Sequence, residues 1–340
     1  MSFTPVHLIA KYMKENSKQP QKTIDLPAPA SSWMELSEKQ LREVHRLMKS
    51  CASVPDFKLQ VLMMLNGLRM SSRGFEEEEE KGGGVRYLFR RIGWWNRWFG
   101  PLIGLSSWEV CFWADRYLKF LDEPMQLLAL PFEYIRIGLH RYKAPDPQMV
   151  NLTYEQYGNA QRYLVAYWDA RRSLAESDHT PLRQQLNLMR EAEQSRAGFL
   201  AHLFTPPSLR LLDQRHQATR FSPQRVYHYD ADRAERLIPR FRRLCRRDPI
   251  LFDMCSQFFQ SCQLRYKEDF PFLFKEYGGG DDRSALVMEI DTVNAVQKYA
   301  GYTTQQEVYD SNSVFIFGFL NNMAHEAKQI EEMNAKMKMK

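Results

Sequence analysis

The stretch from Asp248 to Phe274, DPILFDMCSQFFQSCQLRYKEDFPFLF, constrains this chain more than any other. Asp248 is suited to accept from the free N–H groups at a helix start, and Pro249 fits the first helical position, where no N–H is needed. Leu251, Met254, Cys255, Phe258 and Cys262 then recur at helical spacing, and Ile250, Phe259 and Tyr266 widen the apolar face. A helix apolar over so much of its circumference has to be surrounded by other helices. The spacing predicts a helix-packed core with this segment inside it.

The preceding segment is its opposite. Arg233, Arg236, Arg240, Arg243 and Arg247 follow steps of three and four, which places them on one face of a helix from Asp232 to Arg247. Leu237, Phe241 and Leu244 make the neighbouring face apolar. From Arg220 to Arg247 nine arginines stand against Asp230, Asp232 and Glu235, whereas all 340 residues carry a net charge of only +6. The basic charge is therefore local, and the whole molecule is no general polyanion binder. Such a face can track phosphates, dock an acidic partner, or simply be a solvated side paired to carboxylates.

The rest of the chain reads as further helices between punctuating segments. Residues 1–32 have the Pro, Lys and Ser content of an extended N-terminal arm. Ser37 with Gln40, Thr153 with Gln156 and Thr304 with Glu307 have capping-box spacing. They open helices continuing through Met48, through Trp168 and beyond Glu307. Phe57–Met70 reads as a second helix, paired with the first through a turn at Pro55. Ser107–Leu130 reads as a helix broken at Pro124, residues 131–147 as a loop, and Pro181–Phe204 as an amphipathic helix. SLRLL and ATRFS flank DQRHQ within residues 205–229, where a short β-hairpin is expected. A last helix starts at Asp310 or Ser311 and forms, with its tail, the region 311–340. Phe315, Phe319 and Met323 line one face of its first half as candidate contact residues, and its Met- and Lys-rich second half is expected to leave the body.

One region, residues 71–104, breaks the composition: an acidic run, Glu76–Glu80, then Gly82–Gly84, then VRYLFRRIGWWNRWFG. Trp94, Trp95 and Trp98 beside Arg90, Arg91 and Arg97 can stack bases, lie at a membrane interface or contact a protein. They can equally pack onto the body as part of an inserted loop. The triple glycine lacks the GK[ST] ending of a phosphate loop. No charge-free apolar run approaches the ~18 residues of a membrane span; Trp98–Trp108 comes nearest.

Candidate catalytic and metal motifs are missing. There is no GxSxG, HExxH or GxGxxG after a strand, and His216 and His228 lack metal-ligand spacing. No cofactor or metal is expected, and no enzyme activity. The five cysteines, Cys51, Cys111, Cys245, Cys255 and Cys262, form no CxxC pair. With no apolar leader segment at the start, they lead to the expectation of a reducing, cytoplasmic location.

Four segments carry a resemblance: WMELSEKQL (Trp33 to Leu41), NLTYEQYGNAQRY (Asn151 to Tyr163), RYKEDFPFLF (Arg265 to Phe274) and the helix from Val308 to Met333. Together they resemble proteins encoded in tail gene clusters of phages and prophages of Bacteroides-type bacteria. The sequence departs from that pattern in Ser71–Gly104 and Arg171–Gly198. The resemblance implies a non-enzymatic tail-assembly chaperone in the bacterial host cell, with a tape-measure-like helical client as protein partner. It assigns no individual residues. The expected fold is thus an all-α array of helices over residues 33–335 with one minor hairpin and a protruding C-terminal helix. A nucleic-acid-binding protein using Arg233–Arg247 is the alternative.

Overall fold

Helices dominate the computed structural model, which describes residues 8–13, 20–26, 30–77, 85–93, 102–176, 181–204, 229–274 and 285–338. Their contacts divide the chain into two units, residues 1–126 and 127–340.

In the first unit, α1 (Glu38–Ser50) opens with both bonds of the predicted capping box. The Gln40 N–H donates to Ser37 Oγ at 3.4 Å and the Ser37 N–H to Gln40 Oε1 at 3.0 Å. Helix α2 (Val54–Leu65) starts on Ser53 and stops earlier than the apolar pattern through Met70 predicts. Gly67 ends it, with φ at +60°, a left-handed conformation open to glycine at no steric cost. The chain leaves as β3 (Leu68–Glu77), so Leu68, Arg69 and Met70 are strand rather than helix.

Strand β3 pairs with β4 (Val85–Arg91), which pairs with β5 (Leu102–Ser106). Strand β5 also pairs with β1 (Leu8–Met13), and β1 with β2 (Pro20–Leu26). The result is a five-stranded sheet in the order β2-β1-β5-β4-β3, antiparallel throughout. This corrects three sequence expectations. The molecule is mostly helical but not all-α. The arm 1–32 contributes two strands, and the 71–104 insertion carries parts of three. The physical reason is visible in β5: LIGL is the central strand, buried residue after residue, so it shows no polar alternation. From Ser106 the chain turns directly into α3 (Ser107–Tyr117), capped by a Ser106–Glu109 box in addition to the three predicted from spacing. A 3-10 turn, Lys119–Asp122, ends that helical region ahead of Pro124.

The second unit contains a hairpin of β6 (Tyr134–Ile137) and β7 (His140–Lys143) where a loop is expected. Its turn uses Gly138 at φ +63°. Seven helices follow among the described residues: α4 (Tyr154–Ala175), α5 (Leu182–Leu203), α6 (Ala231–Arg247), α7 (Pro249–Asp269), α8 (Ala285–Ala300), α9 (Gln305–Tyr309) and α10 (Ser313–Lys338). The hairpin expected within 205–229 lies outside the described residues except for Tyr229.

Helix α7 occupies the core, as its spacing predicts. Asp248 accepts from the Leu251 N–H at 3.2 Å, and Pro249 sits in the first turn. Phe252, Met254, Cys255, Phe258, Phe259 and Cys262 are fully buried. Phe199 on α5 meets Phe252 and Phe259 edge-on at 5.7 and 5.5 Å, while Tyr157 on α4 stacks on Phe259 at 5.3 Å. Each such side chain contributes roughly 2 kcal/mol by leaving water. Burial also pushes the Cys262 thiol up to about 12, so it packs as a small hydrophobe.

A short pairing fixes the last helix. The Tyr154 N–H donates to the Ser311 carbonyl at 2.8 Å, and the Ser313 N–H to the Leu152 carbonyl at 3.0 Å. Asn312 caps α10 by accepting from the Phe315 N–H at 3.2 Å.

Candidate functional site

Helix α6 presents two chemistries on two faces. Asp230 starts it by accepting from the Arg233 N–H at 2.9 Å. Ala234, Leu237, Ile238, Phe241 and Cys245 are buried, whereas Arg236, Arg240, Arg243 and Arg247 are exposed and Arg233 is half-buried. The predicted arginine stripe is therefore one outward face. Arg246, outside that stripe, is paired with Glu193 at 2.7 Å, which holds the Glu193 carboxyl below the usual carboxylate range. Arg240, Arg243 and Arg247 make no ion pair or hydrogen bond among the described residues.

The hairpin β6–β7 lies beside the N-terminal half of this face. Tyr142 is buried and meets Phe241 edge-on at 5.5 Å, which seats β7 against α6. Between them lies a notch of about 350 Å³ lined by His140, Tyr142, Arg233, Arg236, Leu237 and Arg240. Among the described residues no carboxylate lines it. Arg236 is oriented by its Nε–H donating to the Asp232 carbonyl at 3.1 Å.

Through the half-exposed Glu235, α6 joins a polar network around the buried His202 that no spacing in the sequence predicts. His202 on α5 hydrogen-bonds through Nδ1 to the Tyr229 hydroxyl and through Nε2 to Glu235 Oε1 at 3.1 Å. The Tyr163 hydroxyl donates to the same Glu235 oxygen at 2.6 Å, and Asn159 Nδ2 donates to the Tyr229 oxygen at 3.0 Å. Burial lowers the His202 pKa below its ordinary value, and burial raises those of Tyr229 and Tyr163. The consistent arrangement is a neutral imidazole that accepts from Tyr229 and donates to Glu235. Tyr163 stacks on the His202 ring at 5.1 Å because Gly198 leaves room, since a Cβ there would run into the Tyr163 ring. The hydrogen bonds link α4, α5 and α6, which makes the network a clasp. The one signal of it in the sequence is His202 itself, a polar residue inside the apolar run Ala197–Phe204.

A third feature lies in the first unit. Helices α1 and α2 and the start of β3 enclose a groove of about 810 Å³, lined on its apolar side by Leu47, Leu59, Met63, Met64, Leu68 and Met70. Its rim carries both signs of charge, Lys39 and Arg69 with Glu43 and Asp56.

The other predicted contact residues are placed as follows. Phe315 and Phe319 pack against the cluster formed by Val293, Val296, Tyr302, Val308 and Ile316, and Met323 is half-buried. Phe315 and Phe319 thus contribute to the body of their unit. Beyond them Phe272 stacks on His325 at 4.3 Å, after which α10 is exposed. Ile330, Met333 and Met337, 53, 55 and 67% exposed, share one face of that end. Trp94, Trp95 and Trp98 lie outside the described residues, as do His216 and His228. Among the described residues no group of His, Cys, Asp or Glu is placed to hold a metal ion, and no helix is long and apolar enough to cross a membrane. No protein-family model, characterised protein or solved structure matches this chain.

Proposed function

We propose that this chain is a non-enzymatic assembly protein that holds an amphipathic helix of its client, in the manner of a chaperone for a tape-measure-like protein of a phage-like tail. The groove between α1, α2 and β3 carries the reading. At 12 or 13 residues, its two helices run about 18 Å at 1.5 Å per residue, which matches about three turns of a docked helix with anchors at i, i+3 or i+4, and i+7. Met63, Met64 and Met70 give it adaptable walls suited to a long client offering many similar segments. The rim of mixed sign suits a helix flanked by both charges. The resemblance of four segments to tail-cluster proteins supports the identity of the client, and the exposed end of α10 supplies a second helical surface.

A photo-crosslinking amino acid placed at Met63, with Lys267 on α7 as control, tests this in native lysate treated with nuclease. The expected product is a long heptad-patterned protein crosslinked from Met63 and not from Lys267, and lost when Leu59→Glu is added. Equal crosslinking from both positions, or none from Met63, overturns it.

A second reading rests on the exposed arginine face of α6, which suits nucleic-acid phosphates. Binding of single-stranded DNA should then weaken steeply with salt, with a slope of about −0.7 per phosphate neutralised. A salt-independent affinity, or none, removes this reading.

A further inference from the structure

We infer that the notch between β7 and α6 is a discrete seat for a terminal phosphate or diphosphate group, as carried by a nucleotide or another small phosphorylated ligand. The inference deepens the anionic reading of α6 and does not depend on the groove. Three observations carry it. First, Arg233, Arg236 and Arg240 converge with His140 on one concavity, while the buried side chains of Tyr142 and Leu237 form its apolar part. Second, the described residues place no carboxylate in its lining, and Arg240 makes no ion pair among them, in contrast to Arg246 and Arg265, which are held by Glu193 and by Glu268 with Asp269. Like charges gathered around a cavity repel, and a bound dianion relieves that repulsion. Third, the site is partly preorganised. The Nε–H of Arg236 is fixed on the Asp232 carbonyl, which leaves its terminal amino groups as donors, and Tyr142 packs edge-on against Phe241 so that β7 is held on the helix.

Size and shape narrow the ligand. A volume of about 350 Å³ falls at the lower end of small-molecule sites. Arg233 and Arg240 are seven residues apart, about 10 Å along the helix axis, a span that one or two adjacent phosphoryl groups can bridge with bidentate guanidinium contacts. The exposed Arg243 and Arg247 continue the stripe but do not line the cavity. A continuous strand would use all five arginines alike, whereas a seated phosphate distinguishes the notch from the rest of the stripe.

Titration calorimetry of the full chain with pyrophosphate tests the seat, alongside an oligonucleotide of about 12 nucleotides without terminal phosphates. Saturable pyrophosphate binding is expected. It should weaken about tenfold or more in Arg240→Gln, weaken also in His140→Gln on the separate β-hairpin, and persist in Arg247→Gln. Absence of saturable binding overturns the proposal, and so does equal weakening by Arg240→Gln and Arg247→Gln. If the oligonucleotide binds and pyrophosphate does not, the strand reading stands and the seat falls. The converse result keeps the seat and removes the strand. Unchanged thermal midpoints of the three variants show that each loss is one of binding.

Discussion

Helices α6 and α7 are consecutive, separated by Asp248 alone, and obey the same three- and four-residue spacing, yet they differ in what surrounds them. In α7 apolar residues cover most of the circumference and the helix lies inside the unit. In α6 one face is buried and the other carries arginines that solvent reaches. Spacing tells which residues share a face; only the width of the apolar arc tells whether a second face is left for a partner. The difference separates the part of the unit that holds the fold from the part available to bind.

The sharpest way to break this contrast is to cut into α7. Phe258→Ala should cost about 3–5 kcal/mol in denaturant unfolding, since the side chain is fully buried and a packed core relaxes only partially into the space left. A loss below ~1 kcal/mol would mean that α7 is not the core. Next in size is Gly198→Ala, where the added methyl meets the Tyr163 ring; overpacking of this kind costs about 1–3 kcal/mol. Gly158, on α4, has open space at its Cβ position and serves as the matched control.

A smaller effect probes the network that joins α6 to His202 on α5. His202 has a folded-state pKa below its ordinary 6.5, chiefly because burial disfavours the charged ring. The unfolded chain therefore binds the proton more readily. Stability is fully present above that ordinary value and declines as pH falls from 6.5 toward the lowered pKa. The urea midpoint should drop between about pH 7 and pH 5.5, and His202→Gln should flatten that drop. An unchanged slope in the variant would assign the pH dependence to other groups. The smallest effect belongs to the outer face: Arg243→Gln should alter stability by no more than about 0.5 kcal/mol, as for exposed positions in general. A larger destabilisation would make the stripe a structural feature rather than a surface kept for a partner.

Local sequence is sufficient wherever the controlling contacts are local. The caps at Ser37, Thr304 and Asp248 join residues three apart and are legible as such. Thr153 is legible too, although its partner Gln156 turns its side chain to the Leu203 carbonyl instead of closing the box. The apolar arc of α7 and the arginine face of α6 follow from helical periodicity alone.

The sheet does not follow, because its determinants are distant. Strand β1 pairs with β5 through Lys11 and Gly104, Tyr12 and Ile103, and Met13 and Leu102, about ninety positions along the chain, and neither segment alternates cleanly. The candidate sites divide in the same way. The five arginines can be named from sequence, but the notch needs His140 from a hairpin that the pattern shows only as loop. The clasp needs His202, Tyr229, Glu235 and Tyr163 brought together across three helices. Sequence by itself determined the helical faces, because backbone hydrogen bonds and side-chain spacing act within a few residues. Only the tertiary structure decided the sheet, the notch and the clasp, because their energies arise from pairs that are far apart in the chain and meet only once the core has formed.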